Sequence, residues 1–530
     1  MTGTGALVRL ALRLDRLRLA IWIALVTALV LSTASAFTEL YPTAASRAQF
    51  AAGVATNPAL RAIVGPPFDL SSIGGLTAWR MGTLATVLVA LMNLLTVLRH
   101  TRGEEEAGRL ELVGSAVVSR HAALTAALVV ALSADALLAV LVATGLVGLG
   151  LPVSGSIALG LVPAAAGAVF AGVAAVTAQL TESSRAASGT ASCVLGLSFL
   201  LRAIGDSAGQ DGPAWLSWLS PIGWLQQTRP FAGERWWAFG LAAAFACLLV
   251  SGAYGLLGRR DLGAGLWPSR PGPAAASPGL RSPLALAWRL HRGALGAWAA
   301  GAAVLGAGFG GIAQGIGDLL GDNPQLAEIL AAIGGEDSIV DAYLASTLHI
   351  VGLLAAAYAV SATLRLRSEE VAQRAEPLLA TGVGRVAWAA SHLAIALLGT
   401  TVLLLSAGLA AGVVHGLRVG DVGGQVPRLL VGALVQLPAA AVLAGIAVAL
   451  FGLAPRFTVG AWAAVVAFLL VQQLGAILQL DQWLLDLSPF THVPNLPGGE
   501  LSATPLLWLL AATMALAAAG LFSFRRRDIG

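Results

Sequence analysis

Twelve stretches of this chain are long and apolar enough to cross a bilayer: 18–36, 76–98, 122–150, 157–179, 188–205, 236–258, 294–316, 342–364, 386–414, 428–452, 457–479 and 503–524. Hydrocarbon offers the backbone no hydrogen-bond partners, so segments of this kind must close their own bonds as helices. The expected fold class is therefore an all-α polytopic membrane protein of about 12 transmembrane helices. Composition points the same way, with 57% of the 530 residues hydrophobic, only 11% charged, and 63 glycines.

Arginine sets the expected orientation. With a cytoplasmic N-terminus, the inner side collects Arg9, Arg13, Arg16 and Arg18, the 99–120 loop, Arg185, the 259–292 stretch, the 365–385 loop, Arg456 and Arg525 to Arg527. The outer loops then hold Asp318, Asp322, Glu328, Glu336, Asp337 and Asp341. Both termini are expected in the cytoplasm and the chain in the cell membrane. Arg9, Arg13 and Arg16 share one helical face, which suits an interfacial helix before the first span turns in. Ala34-Ser35-Ala36 fits a signal-peptide cleavage site, but Arg289, His291, Arg292 and Trp298 echo Arg13, Asp15, Arg16 and Trp22 deep in the chain, so a retained first span is expected.

Every basic side chain apart from histidine is arginine; the chain has no lysine. A Walker A loop needs Gly-Lys-Ser/Thr and a Schiff base needs an amine, so neither chemistry is open to this sequence. No cytoplasmic stretch exceeds roughly 30 residues, short of what a folded domain needs. Cys193 and Cys247 fall inside spans without a pairing pattern and are read as small buried apolar residues. The seven histidines show no pair at helical ligand spacing, so no metal site is expected.

The sequence is written twice. EEEAGRLELVGSAVVSR at 104–120 returns as EEVAQRAEPLLATGVGR at 369–385, so that Glu104, Glu105, Arg109, Glu111 and Arg120 recur as Glu369, Glu370, Arg374, Glu376 and Arg385. Asn57-Pro58-Ala59-Leu60 matches Asn323-Pro324-Gln325-Leu326, Ser220-Pro221 matches Ser488-Pro489, and Arg259-Arg260-Asp261-Leu262-Gly263 matches Arg526-Arg527-Asp528-Ile529-Gly530. The expected domains are a six-helix half at 1–263, a proline-rich cytoplasmic linker at 264–283 and a second six-helix half at 284–530. Six is even, so the halves share one orientation, with a pseudo-two-fold axis along the membrane normal and the substrate path between them. Residues 44–64 and 322–334 have the spacing of short outer helices, and the tryptophan- and proline-rich segments before the sixth and twelfth spans suit interfacial anchoring as broken helices.

Each cassette is helix-compatible, with Glu105–Arg109 and Glu370–Arg374 at the i,i+4 spacing that pairs side chains, and with Leu110, Val113 and Val117 on one apolar edge. Alone, such a run is a solvated connector. Repeated after the second span of each half, with acids that topology does not require, it reads as a docking surface for a cytoplasmic protein.

The two cassettes, the NPALRAIVGPP loop, the LSPIGW segment and the RRDLG ends together resemble the membrane subunits of ABC-2 type exporters, in particular the actinobacterial fused-halves permeases described as tetronasin or polyketide-antibiotic exporters. The resemblance covers almost the full chain. It implies that a separate ABC ATPase, as a dimer, binds ATP and Mg and docks on the loop between the second and third spans of each half. Glu104, Glu105, Glu106, Arg109, Glu111, Arg120, Glu369, Glu370, Arg374, Glu376 and Arg385 would then couple the ATPase to the spans. The second copy departs from the pattern, with Pro377 in place of Leu112 and one acid fewer, so unequal docking sites are expected.

The resemblance also puts the second and fifth spans of each half along the substrate path. Met92, Asn93, His349, Tyr358, Gln472 and Gln473 are the candidate lining residues there; hydrogen bonds that merely hold the bundle explain them equally well. Asp135 is the one carboxylate deep in a span, with no basic partner at its depth and no counterpart in the second half. Gly306, Gly308 and Gly311 satisfy G-x-G-x-x-G inside a span with no preceding strand, so close helix packing, including a Gly311–Gly315 step, is expected instead of a dinucleotide site.

The expected function is the permease subunit of an ATP-driven exporter, moving a hydrophobic or amphipathic, drug-like compound outward. The chain itself would bind no cofactor and no nucleic acid and would not be an enzyme; its partners would be the ATPase, membrane lipid and the small substrate. A proton-coupled twelve-helix drug transporter is the alternative. A membrane glycosyltransferase built on Glu336 and Asp337 is a third reading, opposed by the duplicated cassette.

Overall fold

A computed structural model describes residues 2–55, 58–207, 213–267, 275, 278–321, 336–474 and 481–528. Among the described residues there are helices and no strands, and eleven helices are long and apolar enough to cross a membrane. The remaining expected span, 457–479, appears as the shorter helix Gly460–Leu474, beyond which residues 475–480 lie outside the described set. The chain is thus a multi-pass membrane protein. It divides into two compact units, Met1–Gly272 and Pro273–Gly530.

In the first unit the spans are Thr4–Leu40, Ile73–Leu98, Ala122–Gly148, Val153–Leu180, Ser184–Ser207 and Trp237–Leu257. The fourth is the axle, packed against the second, third, fifth and sixth. Its sequence explains this position: glycine and alanine recur throughout, so neighbouring backbones come close and gain packing where lipid supplies no hydrophobic drive. A Cβ on Gly160 would run into the Ala139 carbonyl, and one on Gly167 into Asn93 and Asp135.

The first span differs from expectation. It is one continuous helix of 37 residues from Thr4 to Leu40, without a separate interfacial segment. After Gly5 the stretch holds no glycine or proline to break it. At 1.5 Å per residue it is about 55 Å long against a hydrocarbon core of about 30 Å. The arginine-bearing end is therefore carried beyond the apolar layer by the same helix.

Outside the spans, Ala44–Ala55 and Pro58–Ile63 form the expected short helices. Phe37, Tyr41, Phe50 and Trp79 stack over them, and Trp79 Nε1 donates to Gly65 O at 2.9 Å. The matching 322–334 segment lies outside the described residues. Ahead of the sixth span, Ala214–Leu219 and Pro221–Gln226 are two short helical pieces broken at Ser220, whose hydroxyl accepts from Ile222 N and Gly223 N.

In the second unit the spans are Pro283–Gly321, Glu336–Thr363, Arg385–Val419, Val422–Leu453 and Ala503–Arg526, with the shorter apolar helix Gly460–Leu474 before the last. The Val422–Leu453 span takes the central place, against the spans on either side of it and the last one. In the Pro283–Gly321 helix, Gly306 and Gly310 lie directly on the backbone at Ala407 and Ala411 of Arg385–Val419. Gly306 and Gly310 thus form a packing stripe; Gly315, of the expected Gly311–Gly315 step, lies outside the residues whose packing is described.

Candidate functional site

The second span does not end at the membrane edge. It runs through a wide turn at Arg99–Gly103 into Glu104–Glu106, reverses at Gly108, where φ is 72°, and continues as Arg109–Gly114. The other unit repeats the path: Arg365–Val371, a reversal at Gln373 with φ of 56°, then Ala375–Leu379. Glycine tolerates that left-handed position and glutamine is strained in it.

Folding turns the strongest part of each cassette inward. Arg260, from the tail of the sixth span, donates from Nη1 and Nη2 to the two Glu105 oxygens at 2.6 and 2.8 Å, and from Nε to Gln179 Oε1 at 2.8 Å. Gly263 N adds a bond to Glu105 Oε1 at 2.6 Å, and Arg102 lies 3.0 Å from Oε2. Arg102 also donates to Thr181 O and, at 2.7 Å, to Ala264 O. Arg120, the last residue of the cassette, donates to Arg260 O. Breaking such a node is costly, because removing one partner of a buried pair costs about 3–5 kcal/mol.

The second unit builds the same node from the repeated residues. Arg527 holds Glu370, and its Nη1 donates to Phe451 O at 2.7 Å. Arg367 donates to Glu370 Oε2 at 2.8 Å, and Arg385 donates to Arg527 O at 2.7 Å. Glu369 is buried as well, accepting from Arg365 at 2.9 Å.

The i,i+4 pairs expected from spacing do not form. Arg109 takes Glu104, at 2.6 and 2.8 Å, because Glu105 is already held by Arg260; this pairing keeps the Arg109 guanidinium above its ordinary pKa. Arg374 approaches Glu369 at 3.7 Å in place of Glu370. What faces solvent is therefore a subset of the cassette: Glu106, Arg109, Glu111 and Arg120 in the first copy, Arg374 and Glu376 in the second. Of the expected apolar edge, Val117 is 86% exposed and Leu110 half-buried, and Leu112, outside that edge, is 76% exposed. A cavity of about 380 Å³ sits beside the first node, between Leu7, Leu110, Leu124, Leu257 and Leu262, with Glu105 and Arg260 on its wall.

Of the path candidates, Met92 and Asn93 are buried within the first unit. Asn93 Nδ2 donates to Asp135 Oδ1 at 2.7 Å, so the partner of Asp135 is a neutral amide. Asn93 Oδ1 and Asp135 Oδ2 have no protein partner. In the second unit Tyr358 stands where Asn93 stands in the first, edge-on to Trp298 at 6.0 Å and against Gly399. His349 bonds back to Ala345 O at 2.9 Å. The side chains of Gln472 and Gln473 lie outside the described residues. Trp298, Gly301, Leu305, Val351, Leu354 and Leu403 line a half-open apolar cavity of about 300 Å³.

Two features escaped sequence spacing. Asp15 is fully buried and meets His100 at 2.6 Å and Arg99 at 3.3 Å; at the echo of Asp15, His291 meets His392 at 3.0 Å. Both are contacts between different helices, which local periodicity does not encode. Cys193 and Cys247 are free, as expected, but lie exposed on the bundle surface rather than buried.

Two comparisons bear on this arrangement. The family described as "Multidrug efflux system permease Rv1217c, C-terminal domain" matches residues 6–260 and 280–525. The multidrug efflux system permease protein Rv1217c of Mycobacterium tuberculosis (strain ATCC 25618 / H37Rv) is 46% identical over 529 residues, covering 100% of this chain and 95% of the relative.

Proposed function

This chain belongs to the multidrug efflux permease family, and on that premise we propose that it is the membrane subunit of an ATP-driven exporter of the ABC-2 type, powered by a separate ATPase. The observation that carries the reading is the pair of cassettes, each braced on its own span by a buried ion cluster and each with exposed acid at its edge. A braced loop with Glu106, Glu111, Leu112 and Val117 exposed suits a partner that pushes, since force applied at the edge reaches the second span through Glu105. The absence of lysine assigns ATP and Mg to that partner. We place both termini and both cassettes on the cytoplasmic side by the arginine bias.

The cargo is a lipophilic or amphipathic compound, of the antibiotic or drug-like kind. The apolar cavity around Trp298 and Leu354 has room for such a body and few polar groups to satisfy. In cells that export a lipophilic dye through this chain, collapsing the proton gradient at constant ATP should leave efflux intact, and exhausting ATP should stop it. The reverse pattern would sink the proposal and favour a proton-coupled transporter. Purification of the chain should bring down an ATPase lacking membrane spans, and reversing Glu111 or Glu376 should lower its stimulated hydrolysis.

A further inference from the structure

The basic tails that close the two halves have so far served only as partners of the cassettes. In each tail, of two adjacent arginines the second turns inward: Arg260 is buried while Arg259 is exposed, and Arg527 is half-buried while Arg526 is exposed. The inward arginine is gripped at both ends. Its side chain binds the second acid of the cassette, Glu105 or Glu370, and its main-chain oxygen accepts from the arginine that ends it, Arg120 or Arg385. The surroundings of the two nodes differ, with Gln179 at one and the Phe451 carbonyl at the other, yet the Glu–Arg–Arg grip is the same.

We propose that Arg260 and Arg527 are positioning residues that fasten each cassette to the tail of the last span in its own half, so that cassette and tail move as one body. The consequence is that a stroke delivered to the cassette reaches two spans, the second through the continuous helix and the sixth through the arginine. At Arg260 lysine would not serve as well, since a point charge cannot hold both Glu105 oxygens while a third nitrogen reaches Gln179 on the neighbouring helix. This inference rests on the reading that the cassettes receive force, but its test separates from the test of that reading.

The experiment uses the full chain, co-expressed with its ATPase subunit, and a lipophilic dye that the wild type is first shown to export. Arg260→Gln or Arg527→Gln should lower the maximal efflux rate about tenfold at equal amount in the membrane, with the half-saturating dye concentration unchanged. Arg259→Gln and Arg526→Gln, which remove the same charge from the exposed neighbours, should leave both parameters as in the wild type. Glu105→Gln with Arg260→Gln should lose no more than the worse single change, because both remove one interaction. Arg260→Lys, which keeps the charge for folding, should fall between.

A second arm does not depend on the stability of those variants. With Cys193 and Cys247 changed to alanine, Leu110→Cys and Leu262→Cys are joined across the cavity beside the first node by a short thiol cross-linker. Joining two parts of one body should leave efflux unchanged. Efflux stopped by the cross-link, losses that multiply in the double variant, or wild-type rates for Arg260→Gln and Arg527→Gln would each overturn the proposal. Efflux that persists without ATP would instead overturn the ATP-driven reading while leaving the cross-link and the mutant cycle interpretable.

Discussion

Gln373 occupies, in the second cassette, the reversal that Gly108 occupies in the first, and both have positive φ, 56° and 72°. An L side chain in that region costs roughly 1–2 kcal/mol, so Gln373→Gly should stabilise the chain and Gly108→Ala destabilise it, each by about 1 kcal/mol, read as a rise and a fall of the thermal midpoint. A fall in the midpoint for Gln373→Gly would show that its side chain contributes more than the backbone strain removes. Asp135 gives a second test at this scale. Asp135→Asn keeps an acceptor for Asn93 Nδ2 and should change stability little, whereas Asp135→Leu strands a buried carboxamide and should cost about 1–3 kcal/mol. Equal losses for the two would mean that the hydrogen bond is not what Asp135 supplies. The residues of the nodes were legible in the sequence as a repeated phrase, but their pairing was not. Glu105 and Arg109 have the right local spacing, and the contest is decided by Arg260, 155 positions away, which spacing along one helix cannot register.

The spans themselves are the most legible elements, because a segment facing lipid must be both apolar and helical, and no other structure satisfies its backbone. What hydropathy missed is how helices touch. The histidine pair His291–His392, the Asp15–His100 contact and the outward-facing cysteines are all decided by which face of a helix meets a neighbour, and a span that is apolar all round does not announce its faces. Glycine is the exception, since a missing Cβ marks a close approach. Gly306 and Gly310 sit one turn apart against Ala407 and Ala411, so Gly310→Ile should force the two helices of the second unit apart and destabilise it by about 1–3 kcal/mol. Gly301→Ile lies on the same helix with open space around the position of a Cβ and serves as the control. Thermal midpoints that fall equally for both would refute close packing as the role of Gly310.

At the scale of the whole molecule, duplication predicts two docking edges and divergence predicts that they differ. The first exposes Glu106, Glu111, Leu112 and Val117 on a helix that follows a relaxed glycine turn. The second follows a strained glutamine, carries Pro377 within its short helix and exposes Glu376 beside Arg374, so that it offers one exposed acid where the first offers two. An ATPase dimer built from identical subunits would therefore meet two unlike surfaces and hold the first more firmly. Glu111→Arg should reduce stimulated ATP hydrolysis in the purified complex more than Glu376→Arg, and the combined change should reduce it further, since the two edges lie in separate units. Salt should weaken the first contact more steeply than the second, because more exposed acid is paired there. Equal losses from the two reversals would mean that the buried nodes, which are alike, govern coupling and that the differing edges contribute nothing to it.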